Sequence, residues 1–140
     1  MGLLGKIFRK PPKRNKDDGN AVERYGKSFH HAVDGFIYCF RYEHNMIIIV
    51  IATILVVACG IFFQITLPEW LFVMSMCGGI AACEALNSSI EAVVDLCTTE
   101  KHPLAKISKD TASTASLLLC ITALIGGIMI FLPKVIEMFG

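Results

Sequence analysis

The run Glu84-Ala85-Leu86-Asn87-Ser88-Ser89-Ile90-Glu91-Ala92-Val93-Val94-Asp95 places three carboxylates and a carboxamide in an otherwise apolar stretch. On a helix turning about 100° per residue, Asn87 falls about −60°, Glu91 about −20° and Asp95 about +20° from Glu84, a stripe about 80° wide. Ala85, Leu86, Ile90, Val93 and Val94 cover the rest with hydrocarbon. A carboxylate near the centre of a bilayer costs at least about 2.5 kcal/mol, so the stripe must face protein, water or an ion. Polar groups can serve as hydrogen-bonding glue between helices, but uncompensated negative charge is poor glue. A divalent cation relieves the repulsion, and carboxylate and carboxamide oxygens suit Mg²⁺.

Lys106, Lys109 and Asp110 come shortly after this stripe, ahead of another apolar run, with Ser108 or Asp110 able to cap the helix that follows. A lysine at a helix N-terminus can cradle phosphate, combining a mobile cation with free N–H groups. The same lysines also read as ordinary basic flanking of a span. Beside the carboxylates, the set suits phosphoryl transfer: metal, cation and a carboxylate to orient the attacking hydroxyl. The chain has no Walker A motif, Gly-rich kinase loop or HRD motif, which excludes the soluble kinase folds.

The elements that must hold these groups are helices in a membrane. With 140 residues, 54% of them hydrophobic, the chain suits one membrane domain. Residues 1–19 carry Lys6, Arg9, Lys10, Lys13, Arg14 and Lys16 among Pro, Asn and Asp, and read as a flexible basic cytoplasmic tail able to meet anionic headgroups. Residues 20–43 read as an amphipathic surface helix with Asn20 as its cap: Val22, Tyr25, Phe29, Val33, Phe36, Ile37 and Phe40 recur at helical steps between charged residues. Its His30 and His31 are read as interface residues. Apolar spans are expected over 46–65, 70–96 and 113–132, with Pro68 ending the first and Pro133 the third. The fold class is therefore all-α integral membrane, an interfacial helix plus three transmembrane helices. Cys39, Cys59, Cys77, Cys83, Cys97 and Cys120 form no CxxC pair and read as small apolar side chains.

Basic residues set the orientation. The tail, Arg24, Lys27 and Arg41, and the loop residues Lys101, Lys106 and Lys109 fall on one side, whereas the other side has only Lys134. The positive-inside rule places the N-terminus and the 97–112 loop in the cytoplasm and the C-terminus outside.

The twelve-residue acidic run closely resembles the signature of the prokaryotic diacylglycerol kinases, and the resemblance extends back to Arg41-Tyr42-Glu43 and on through Lys109-Asp110, over about residues 21–133. Lys27-Ser28-Phe29 and His102-Pro103-Leu104-Ala105-Lys106 resemble the undecaprenol kinase branch of Gram-positive bacteria. The resemblance implies a homotrimeric lipid kinase of the bacterial inner membrane, taking ATP with Mg²⁺ at the cytoplasmic face and a lipid alcohol from the bilayer, with no nucleic-acid partner. By motif, Glu84 resembles the general base and Glu43 and Glu91 the metal-binding carboxylates. Glu43, Asn87, Glu91, Asp95, Glu100, Lys101, His102, Lys109 and Asp110 are implied at the ATP site, with Lys101 and His102 where the family varies. Arg24, Ser28, Phe29 and Glu84 are implied at the lipid.

Undecaprenol is the expected substrate, with diacylglycerol the alternative. A non-enzymatic ion pathway through Glu84, Glu91 and Asp95 is the rival from another class. It is disfavoured because Leu71 to Cys83 offers only Ser75 as a polar group. Gly78, Gly79, Ala81, Ala82, Gly126 and Gly127 offer small faces for close helix contact between subunits.

Overall fold

The computed structural model describes residues 20–140, so the basic tail expected over 1–19 lies outside the described residues. Four helices follow one another: α1 Ala21–Tyr42, α2 His44–Phe62, α3 Leu67–Cys97 and α4 Pro103–Phe139. The chain divides into two compact units, one ending at Gly35 and one of Phe36–Gly140.

In the first unit, α1 opens with the Arg24 N–H donating to the Asn20 carbonyl at 3.1 Å. Its polar face carries Glu23–Lys27 and Asp34–His30 pairs one turn apart, at 3.1 and 3.7 Å, the spacing at which helical side chains meet. Val22, Tyr25 and Phe29 stand exposed.

In the second unit, α3 packs against both α2 and α4. At the end of α2 the Gln64 N–H bonds the Ile61 carbonyl and the Ile65 N–H bonds the Gly60 carbonyl, at 3.3 and 3.1 Å. This is a Schellman closure, and it puts Gln64 at φ 48°, a position glycine usually fills. Thr66 caps α3, and its N–H donates to Glu69 at 2.6 Å. Pro68 sits in the first turn of α3, so it opens that helix; the second span begins at Leu67 rather than at residue 70.

Two expectations about the last helix are corrected. It starts at Pro103, well before Ser113, because His102 caps it: the His102 Nδ1 accepts the Leu104 N–H at 3.2 Å, and Pro103 provides a pre-set first position. It also runs on through Pro133 to Phe139. Proline forfeits one backbone bond there. Lys134 pairs with Glu69 at 3.4 Å and the Phe131 ring meets Phe63 at 6.1 Å, which hold the segment in line.

Close approach at this end depends on glycine. A side chain at Gly126 would collide with the Phe72 ring, and a Cβ at Gly60 would lie 2.7 Å from Trp70. Gly126 is therefore filled from within the chain rather than left for a second subunit, whereas Gly78 and Gly127 face open space.

Helices α2, α3 and α4 are each long and apolar enough to cross a membrane. Their packing is inverted relative to a water-soluble bundle. Leu86 and Leu124 stand 62% and 65% exposed, while Glu84, Asn87 and Ser88 are only 5%, 7% and 8% exposed. Apolar surface on this scale, around a polar seam, requires lipid or further protein as its solvent. The chain is a multi-pass membrane protein.

Candidate active site

Helix α3 carries the acidic stripe, and its two neighbours divide it. Toward α2, the Asn45 side chain donates from Nδ2 to Glu84 Oε1 at 2.7 Å. Toward α4, Lys109 Nζ reaches Asp95 Oδ1 at 2.6 Å. Between them, Asn87 Nδ2 donates to Glu91 Oε1 at 3.0 Å, one turn along the helix. Carboxylates that share a face on the helical wheel thus meet different partners, because α3 is flanked on two sides.

Glu84 and Asn87 are buried in a helix whose outward residues are hydrocarbon. Ser88 returns its Oγ–H to the Glu84 carbonyl at 3.1 Å, satisfying its own hydroxyl locally. The Asn87 Oδ1 is buried with no hydrogen-bond partner among the described residues. A buried acceptor without a donor is costly unless something else binds it.

At the end of α3 and the start of α4, an open cleft of about 840 Å³ is lined by Asp95, Glu100, Lys101, His102, Lys109 and Asp110, among others. These are the loop and helix residues singled out from the sequence for phosphate and nucleotide. Glu43, Asn87 and Glu91 do not line it. The expected reason for Lys109 is corrected: with the helix starting at Pro103, Lys109 and Asp110 lie about two turns inside α4, not at its N-terminus. Lys109 is available to phosphate as a side-chain cation alone. Lys106 pairs with Asp110 at 3.1 Å, so Lys106 and Lys109 each share their charge with an acid.

A second cleft of about 510 Å³ runs between α3 and α4, bordered by Leu86, Asn87, Ile90, Thr111 and Ala115. Glu43 sits half-buried at the N-cap of α2, with no side-chain bond to that helix, a bond that shorter polar side chains commonly make. Arg24, Ser28 and Phe29 are exposed on α1 in the first unit.

No three of His, Cys, Asp and Glu converge into a metal cage among the described residues. Mg²⁺ does not require one, since it keeps several waters and is held by one or two carboxylates plus substrate phosphates. The Glu91 carboxylate beside the orphaned Asn87 oxygen is a donor set of that kind.

Two polar residues at the site, Asn45 and Ser88, were not singled out from the sequence, and neither was the buried Ser116. Ser116 is buried on α4, and its hydroxyl has no partner among the described residues. Asn45 carried a readable signal, a carboxamide in the turn that opens an otherwise apolar span. Ser116 carried none, since serine is common in spans.

Residues 30–131 match the model of the prokaryotic diacylglycerol kinases. An undecaprenol kinase of Bacillus subtilis is 38% identical over 120 residues, which covers 86% of this chain and 98% of that protein. A diacylglycerol kinase of Helicobacter pylori is 33% identical over 111 residues, 79% of this chain and 83% of that one. One from Pseudomonas aeruginosa is 31% identical over 85 residues, 61% and 69% of the two chains.

Proposed function

The chain belongs to the prokaryotic diacylglycerol kinase family and is a lipid kinase, and on that premise we propose that it phosphorylates undecaprenol from ATP at the cytoplasmic face of the bacterial inner membrane. The observation that carries the chemistry is the Glu84 carboxylate, buried on an apolar helix and held by Asn45. In this reading Glu84 accepts the lipid hydroxyl proton as that oxygen attacks the γ-phosphorus, and ADP departs. Lys109, with Asp95, Glu100, Lys101, His102 and Asp110 around the cleft, holds the nucleotide and offsets charge on its phosphates. The family's chemistry calls for a divalent metal, which we assign as Mg²⁺ held by Glu91, the Asn87 oxygen and Glu43; when bound it neutralises charge on the β- and γ-phosphates.

Helix α1 lies along the membrane surface in this proposal, with Arg24, Ser28 and Phe29 toward the lipid. The positive-inside count puts the N-terminus in the cytoplasm. The exposed apolar faces of α2, α3 and α4, with Gly78 and Gly127 open, are covered by lipid and by two further copies in a homotrimer.

Undecaprenol is preferred because the Bacillus subtilis relative, an undecaprenol kinase, is matched over nearly its whole length. Diacylglycerol is the second reading, since relatives at 31–33% identity are diacylglycerol kinases. The two alcohols differ beside the hydroxyl, where diacylglycerol adds esters that a pocket fitted to an allylic alcohol leaves unpaired. Purified protein given radiolabelled ATP and both lipids at equal mole fraction in one micelle type is expected to show kcat/KM higher for undecaprenol by about tenfold or more, a preference of about 1.4 kcal/mol. Equal or higher efficiency with diacylglycerol overturns the substrate and leaves the kinase standing.

A further inference from the structure

We infer that Asn45 is a positioning residue for the kinase reaction, fixing the Glu84 carboxylate so that one oxygen is held and the other is left to take the hydroxyl proton. The inference rests on the reading of Glu84 as the base.

The Asn45 Nδ2 to Glu84 Oε1 bond, 2.7 Å long, joins residues 39 apart in sequence. A carboxylate has no hydrogen to give, so the amide must turn its nitrogen toward Glu84 and its oxygen away. Among the described residues no other side chain bonds the Glu84 carboxylate, and Oε2 has no donor. A glutamate has three side-chain torsions to lose, and a base that wanders by about 1 Å can cost a reaction about a hundredfold. Ser88, one turn further along α3, bonds the Glu84 backbone carbonyl and not its carboxylate.

The choice of an amide also has a chemical sense. Lysine or arginine in the same place would grip the carboxylate harder but would hold its charge and weaken it as a proton acceptor. A neutral donor orients without adding a charge. Position matters equally: Asn45 is in the first turn of α2, two residues after the Glu43 cap, so the bond ties the opening of α2 to the middle of α3. That couples the placement of the base to the junction where Glu43 sits. Asn45 itself is largely exposed, so its amide has no burial of its own to secure.

The test uses full-length protein in micelles with a radiolabelled ATP assay, comparing Glu84→Gln, Asn45→Ala, Asn45→Asp and Asn45→Gln. Asn45→Ala is expected to lower kcat by about ten- to a hundredfold with KM for ATP and for lipid within about twofold of wild type. Asn45→Asp keeps the shape, replaces the donor with a second acceptor and is expected to lose at least as much. Asn45→Gln, which keeps the donor on a longer arm, should recover part of the loss. Melting temperatures should not follow this order, because a merely structural role predicts activity that tracks stability and tolerates the isosteric aspartate best. Wild-type kcat in both Asn45→Ala and Asn45→Asp, beside an inactive Glu84→Gln, overturns the inference alone. An active Glu84→Gln overturns the base reading and the inference with it.

Discussion

Lys109 Nζ lies 2.6 Å from Asp95 Oδ1, a bond that closes the loop between α3 and α4 and stands at the wall of the large cleft. Asp95 is 66% and Lys109 34% exposed at the side chain, so water screens the pair and its contribution to stability is expected to be below about 1 kcal/mol. A function in the cleft predicts a very different size of effect. Lys109→Met should raise KM for ATP at least about tenfold while shifting the unfolding free energy by less than about 1 kcal/mol. Equilibrium unfolding in mixed micelles, set beside nucleotide titrations, reads both. A stability loss without a change in KM would make the pair a loop staple only.

Gly126 supports a second prediction, at the opposite end of the bundle. The Phe72 ring occupies the space a Cβ would need, so Gly126→Ala should destabilise by about 1–3 kcal/mol despite the better helix propensity of alanine. Adding Phe72→Leu removes the colliding ring and should restore much of the lost melting temperature. If the double variant is no more stable than Gly126→Ala, the close approach of α3 and α4 at this point is wrong.

Much of this was legible in the sequence for one reason: hydropathy and the 3.6-residue period report each helix separately. They marked the three apolar helices and placed Glu84, Asn87, Glu91 and Asp95 on one stripe. They could not say that Glu84 turns to α2 and Asp95 to α4, because that depends on how helices are arranged around α3. Asn45 fell in the gap between the surface helix and the apolar run, where hydropathy has nothing to report. The start of α4 is legible by another route, since His102-Pro103 is a cap followed by a first-turn proline, whereas hydropathy reports only the apolar run from Ser113 and leaves Ser108 or Asp110 as the apparent cap. Pro133 misled in the opposite sense. A lone proline forfeits one backbone bond, and packing against Glu69 and Phe63 at that end of the bundle is enough to carry the helix past it.

Gln64 holds φ 48° at the closure of α2, where a side chain crowds the backbone. Gln64→Gly relieves that crowding and keeps the two closing bonds to Ile61 and Gly60. A gain of about 1 kcal/mol is expected, reduced by the extra freedom glycine brings to the unfolded chain. Thermal unfolding in detergent measures it, and kinase activity should be unchanged because this turn lies at the end of α3 remote from Glu84. A lower melting temperature would mean that the exposed Gln64 side chain makes a stabilising contact with lipid or another subunit.

The last prediction concerns the metal. Asn87 presents a buried oxygen with no donor, and its amide nitrogen is committed to Glu91 at 3.0 Å, so the two side chains form a preset pair with one oxygen atom in want of a positive partner. Removing either should weaken divalent-ion binding: Glu91→Gln deletes a charge, and Asn87→Ala deletes the neutral oxygen together with the group that aims Glu91. Glu91→Gln is expected to raise the Mg²⁺ concentration for half-maximal activity by about tenfold or more, and Asn87→Ala by a smaller factor, since hard cations favour charged oxygen ligands. Glu43→Gln should act in the same direction, because its carboxylate is free of any cap bond to α2. Exposed Glu137, near the far end of α4, is the control and should leave the curve in place as Glu137→Gln. A Mn²⁺ titration followed by electron paramagnetic resonance, with a non-hydrolysable ATP analogue present, separates binding from turnover. Identical Mn²⁺ affinities in wild type, Glu91→Gln and Glu43→Gln would remove both carboxylates from the metal site and leave the ion to the nucleotide and the Asn87 oxygen.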